Sequence, residues 1–134
     1  MADLLERVRR AVASQPFMAT LGVTVAHAAP GEVDLELPFD DRFTQQHGFL
    51  HAGAVAAVLD SACGYAAYSA AEEEVDVLTV EYKINLLEPA TGERVVAQGR
   101  VVRRGGRITI CRGEAYADEK LVATSTTTMA VRAR

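Results

Sequence analysis

Apolar and polar positions recur along this chain with one of two periods, and each change of period predicts a change of structure. From Asp3 to Ala13, Leu4, Leu5, Val8, Ala11 and Val12 return at helical spacing behind Asp3, a suitable N-cap, which predicts a short amphipathic helix. Pro16 and the apolar group Phe17, Met18 and Leu21 are expected to lead into a first strand near Gly22 to Ala29, ended by a turn at Pro30-Gly31. From Glu32 to Phe39 the period is that of a strand with one wet face. Val33, Leu35, Leu37 and Phe39 alternate with Glu32, Asp34 and Glu36.

After a loop from Pro38 to Gly48, the longest apolar segment begins at about His51 and is rich in alanine. Gly53, Ala57, Asp60, Gly64 and Ala67 share one helical face, and Val55, Leu59, Ala62 and Ala66 share another. Since both faces are small or apolar, this helix is expected to be buried on most sides. A sheet would cover the larger side chains, and a partner or ligand would approach the smaller ones. Glu72, Glu73 and Glu74 mark its emergence into solvent. Beyond Val75 the strand period returns, with Leu78, Val80, Tyr82, Ile84 and Leu86 expected on one face and Thr79, Glu81, Lys83 and Asn85 on the other. A turn at Pro89 to Gly92 follows. Arg94 to Arg103, Arg107 to Ala117 and Lys120 to Val131 read as three further strands, joined by tight hairpins at Gly105-Gly106 and Asp118-Glu119. One antiparallel sheet curled around one long helix is an α+β arrangement with the outline of a hotdog fold. A single domain over 1–134 is expected, with an N-terminal helix and linker in 1–16 and the core in 17–134.

The composition changes this picture little but excludes several functions. A length of 134 residues suits one domain with its own core. No run nears the roughly 18 apolar residues needed to span a bilayer, so no membrane role is expected. The start of the chain lacks the pattern of a secretory signal, and Cys63 and Cys111 are too few for a disulfide framework. A reducing cytoplasm is the default. A net charge of -4 gives no general attraction to nucleic acid. Arg100, Arg103, Arg104, Arg107 and Arg112 nevertheless gather in one region. They suit an anionic ligand, or equally well a solvated strand face and hairpin tip.

Two features of the central segment carry candidate chemistry. The first amides of a helix lack intrahelical acceptors and sit at its positive end, so the N–H groups around Ala52 and Gly53 can hold a developing oxyanion. The same residues also read as an ordinary helix start with small side chains for packing. Asp60 is the second feature, a lone carboxylate in an apolar helix, either functional or satisfied by a neighbouring hydroxyl or amide. It lies nine residues after His51, which is about 13 Å along a helix axis. The two ends cannot serve one carbonyl within one chain. An antiparallel pair of such helices across a two-fold axis would bring Asp60 of one copy beside Ala52 and Gly53 of the other, so a dimer with two equal sites is expected. His51 can bond a substrate carbonyl, orient a loop or cap the helix. His27 and His47 have no spacing that suggests a metal site, and none is expected. Cys63 reads as packing, and Ser61 lacks a nucleophile elbow.

The run from Gln45 through His47, Gly48, His51, Ala52 and Gly53, followed by Leu59-Asp60, resembles the motif of PaaI-type hotdog acyl-CoA thioesterases. Val80 to Asn85 with Pro89-Ala90 resembles the strand that follows it, and the likeness spans about Phe17 to Val131. The resemblance implies hydrolysis of an aliphatic or aromatic acyl-CoA to free acid and coenzyme A, with no cofactor beyond the substrate's own coenzyme A. It implies Asp60 as nucleophile or base, Gln45 positioning thioester or water, His51 at the carbonyl, and the Ala52 amide as oxyanion donor. Thr79 would orient the water on the same chain as Asp60, with Gln45, His51 and Ala52 supplied by the partner. Gly48 and Gly53 would border the substrate, and Arg103, Arg104 and Arg107 would contact the coenzyme A phosphates. The usual His-Gly-Gly is His-Ala-Gly here, and Gly64 stands where relatives often carry Ser or Thr. A homodimer or homotetramer is implied. The rival readings are a non-catalytic acyl-CoA binder and an enoyl-CoA hydratase.

Overall fold

A computed structural model describes residues 3–134; Met1 and Ala2, at the head of the expected N-terminal segment, lie outside the described residues. Helix α1 (Leu4–Ala13) starts as its sequence implies, with the Asp3 carboxylate accepting from the Glu6 N–H. The next segment adds an element: residues Pro16–Leu21, expected only to lead into the first strand, form a second helix, α2, and the first strand, β1 (Thr24–Ala29), follows within the expected range. Proline at the first turn is preorganised for a helix, and Gly22, at φ 75°, ends it in the left-handed region.

Strands β2 (Glu32–Pro38), β3 (Val75–Leu86), β4 (Arg94–Arg104), β5 (Ile108–Ala117) and β6 (Lys120–Ala133) complete one six-stranded antiparallel sheet in the order β1-β2-β4-β5-β6-β3. The Asp118-Glu119 hairpin has φ of 45° and 73°, the paired left-handed geometry of a tight turn. Helix α3 (Ala52–Ala70) lies across the sheet and packs chiefly on β4, β2 and β5. Val58, Leu59, Ala62 and Ala66 are fully buried with Leu35, Leu37, Val95 and Ala97 of the strands. Gly99 of β4 permits the close approach, because a Cβ there would overlap the Ala62 carbonyl. This is the hotdog fold that the periodicity implied.

Strand β3 corrects one expectation. Its pairing with β6 slips between Thr79 and Glu81, so Val80 is an extra, bulged residue. Thr79 therefore lies opposite buried Met129 on the helix side, while Glu81 reaches Thr128 on the outer side. Leu78 is on the outer side too, not with Tyr82, Ile84 and Leu86. Strand β3 is also a long sheet edge, and it leaves Leu78, Val80 and Tyr82 exposed.

Candidate functional site

Helix α3 begins with His51 as N-cap. Its Nδ1 accepts the Gly53 N–H at 2.7 Å, so the neutral ring carries its proton on Nε2. The His51 carbonyl accepts from the Ala54 and Val55 amides. Of the four amides a helix start leaves over, only that of Ala52 has no acceptor among the described residues. Of the two amides expected to be free, Gly53 is thus engaged. His51 is a cap, one of its three readings, with Nε2–H still available. Gln45 folds the preceding loop: its Oε1 accepts from the amides of His47, at 2.6 Å, and Phe49. Gly48 makes that loop's turn at φ 84°. The Gln45 Nε2 donors have no partner among the described residues.

Asp60 sits in the middle of α3, half-buried and open to a cleft rather than sealed in the apolar core. Thr79 donates its hydroxyl to Asp60 Oδ1 at 2.6 Å. The bulge at Val80 makes this contact possible, since it brings Thr79 to the helix side of β3. With its one O–H directed at the acid, the Thr79 oxygen keeps lone pairs to accept from a water. Asp60 Oδ2 has no partner among the described residues.

These groups line two separate recesses. A cleft of about 1120 Å³ holds Asp60, Gly64 and Thr79, walled by Tyr65, Tyr68, helix α1 and the first half of β3. A smaller recess of about 240 Å³ holds Gln45, His51 and Ala52 beside Leu86. Neither contains the other's groups. Gly48 and Gly53 line neither recess, nor do Arg103, Arg104 and Arg107, which are exposed around the β4–β5 hairpin with Arg104 3.8 Å from Glu72.

One wall of the Asp60 cleft comes from α1 and the turn after it. Gln15 Nε2 donates to the Tyr65 hydroxyl at 2.9 Å, which in turn donates to the Ala11 carbonyl. Arg7 meets Glu74 at 2.9 Å, and Arg134 meets Asp76 at 2.7 Å. These partners are far apart in sequence, and periodicity carries no signal for them. Burial pushes the Tyr65 phenol above its ordinary pKa. Burial likewise raises the Cys63 thiol to about 11 and the Cys111 thiol to about 12, so neither is an activated nucleophile. Among the described residues no His, Cys, Asp and Glu cluster could hold a metal, and no helix is long and apolar enough to cross a membrane.

A family model described as Thioesterase superfamily matches residues 47–124. A thioesterase family protein from Silicibacter pomeroyi superposes with a TM-score of 0.93 at 48% identity, over 98% of this chain and 100% of that one. Human acyl-coenzyme A thioesterase 13 is 29% identical over 105 residues, 77% of this chain and 74% of that protein. A Saccharolobus solfataricus protein named as a candidate esterase is 34% identical over 90 residues, 67% of this chain and 64% of that protein.

Proposed function

Because the chain belongs to the thioesterase superfamily, we propose that it hydrolyses acyl-CoA thioesters to free acid and coenzyme A in sites that two copies build together. One observation carries this reading. The Asp60–Thr79 pair and the free Ala52 amide lie on the same helix but in different recesses, and eight residues of helix hold them about 12 Å apart along the axis. One copy thus has both halves of a hydrolytic site and cannot join them. Strand β3 offers the means of joining. Val77 and Thr79 of its first half line the Asp60 cleft, and Leu86 at its far end lines the Ala52 recess. Antiparallel pairing of two β3 edges about a two-fold axis would set each cleft against the partner's smaller recess and cover Leu78, Val80 and Tyr82.

In such a site the thioester oxygen accepts the Ala52 N–H of one copy, with the Gln45 Nε2 donors and His51 Nε2–H beside it. A water held by Thr79 gives a proton to Asp60 Oδ2 of the other copy as its oxygen bonds to the carbonyl carbon. Collapse of the tetrahedral intermediate breaks the C–S bond. The coenzyme A thiolate takes the proton back from Asp60, which returns to a carboxylate. Arg103, Arg104 and Arg107 would receive the nucleotide phosphates, and Gly48 at the loop's turn and Gly53 in the first turn of α3 would border the substrate once two copies pair. The free, buried thiols of Cys63 and Cys111 suit a reducing cytoplasm. A dimer, or a tetramer of two such dimers, is the active form.

The test is thiol release from a series of CoA esters by the wild type and by Asp60→Asn. Turnover should fall by about 10²–10⁴ with dimer mass and melting temperature unchanged. Full activity in Asp60→Asn would sink the mechanism. Tight binding without thiol release by the wild type would make the protein a carrier, and loss of an enoyl double bond without thiol release would make it a hydratase.

A further inference from the structure

Gly64 sits in the interior of α3, where glycine weakens a helix relative to alanine. Elsewhere the fold accounts for its glycines against α3. A Cβ on Gly99 would overlap the Ala62 carbonyl, and one on Gly113 would overlap the Ser125 hydroxyl. Gly64 is different, because a Cβ there would meet nothing nearer than Met129 Cε at 4.0 Å. Packing within the chain therefore leaves room for a side chain that the sequence omits. The room it leaves opens into the Asp60 cleft, one helical turn beyond the acid on the same face, about 6 Å along the axis.

We infer that Gly64 is a specificity-determining position, which keeps the cleft wide beside the reacting carbon for acyl groups that are broad at their first atoms, an aryl ring or a branched chain. The inference rests on the reading of the site as a thioester hydrolase. Width at this point matters only near the carbonyl. A straight chain is narrow there and gains nothing from a missing side chain one turn from Asp60, whereas a ring or branch needs the space that a methyl or isopropyl group would fill. Gly64 makes no contact with the reacting atoms and acts by shape alone.

The experiment compares Gly64→Ala and Gly64→Val with wild type in thiol release from acetyl-, hexanoyl-, isobutyryl- and benzoyl-CoA, with dimer mass and melting temperature measured alongside. Gly64→Ala should melt about 3 °C higher, because the fold has space for the methyl and the helix gains from it. The kcat/KM ratio of benzoyl- to hexanoyl-CoA should fall about threefold in Gly64→Ala and more than tenfold in Gly64→Val, since added volume in a fitted pocket is worth this much in discrimination. An unchanged ratio in Gly64→Val would overturn the assignment and leave the hydrolase reading standing. Loss of the dimer in Gly64→Ala, with all esters affected equally, would also overturn it by showing that the partner chain fills the space. A wild type that cleaves none of the four esters would instead refute the hydrolase reading itself.

Discussion

Replacing Ala52 by proline deletes one atom group of the proposed site, the amide proton, with unusual economy. Proline at the first helical position is tolerated because its missing N–H is unpaired there in any case. The residue before it must be extended, and His51 already has φ -61° and ψ 139°. Ala52 is exposed, and its amide has no acceptor among the described residues, so the fold loses no hydrogen bond. Removal of one oxyanion donor costs about 10²–10³ in kcat, or roughly 3–4 kcal/mol of transition-state stabilisation. Ala52→Pro should therefore be a folded dimer with turnover down by that factor and a melting temperature close to wild type. A variant that retained more than a third of wild-type kcat would refute the assignment of this amide.

The same variant tests whether each site is shared. Asp60→Asn lacks the base but keeps the amide, and Ala52→Pro lacks the amide but keeps the base. In a mixed dimer one site inherits both lesions and the other neither. Random exchange of equal amounts yields about half mixed dimers, each with one intact site of two, so thiol release should recover to about one quarter of wild type. Each parent alone stays near background. A site contained in one chain predicts no recovery, because no molecule in the mixture would then hold both groups. Failure to recover, with subunit exchange verified by mass, would remove the dimeric site from consideration.

Arg103 and Arg107 are exposed and make no ion pair among the described residues, so they are free for phosphate. Changing both to Ala should raise KM for CoA esters about tenfold per lost contact and leave the matching pantetheine esters, which lack the nucleotide, unaffected; equal loss on both would count against nucleotide binding. Cys63 and Cys111, with thiols raised to about 11 and about 12 from an ordinary 9.0, should resist thiol reagents until the chain unfolds. Above pH 9 the unfolded chain loses these protons first, so stability should fall by about 1.4 kcal/mol in all for each thiol between pH 8 and 10, most of it above pH 9, read by denaturant titration across that range. A Cys63→Ala, Cys111→Ala variant with the same alkaline slope would show that other groups set it.

The legible and illegible parts of this fold divide by the distance over which their causes act. Asp3 as N-cap, the buried helix after His51 and the Asp118-Glu119 turn are each set by neighbours in sequence, and each is where the pattern placed it. The pattern shows Pro16 to Leu21 only as a lead-in to the first strand, although the bounds of α2 are written locally, in Pro16 at its start and Gly22 at its end, because six residues are too few for a helical period to stand out. The α1 wall of the cleft was not legible, since Gln15 meets Tyr65 and Arg7 meets Glu74 only through the packing of distant segments.

The Asp60–Thr79 contact lies between these cases, and its signal is in the sequence. Strict alternation from Leu78 to Leu86 groups Thr79 with Glu81, Lys83 and Asn85, opposite Tyr82, Ile84 and Leu86, although the resemblance sets Thr79 to work with the Asp60 of its own chain. Yet Val75 and Val77 are apolar in one phase of the strand, and Val80, Tyr82, Ile84 and Leu86 are apolar in the other. A strand cannot turn its core face from odd to even positions without one extra residue, and that residue is a bulge. The slip observed between Thr79 and Glu81 is where the phases meet. Leu78 concealed it by extending the even phase one step too early, on what is an exposed outer face of a sheet edge. The residue that breaks the apolar alternation is thus the one that lets a threonine reach the acid, and removing the bulge by deleting Val80 would turn either Thr79 or the rest of the strand away from the helix.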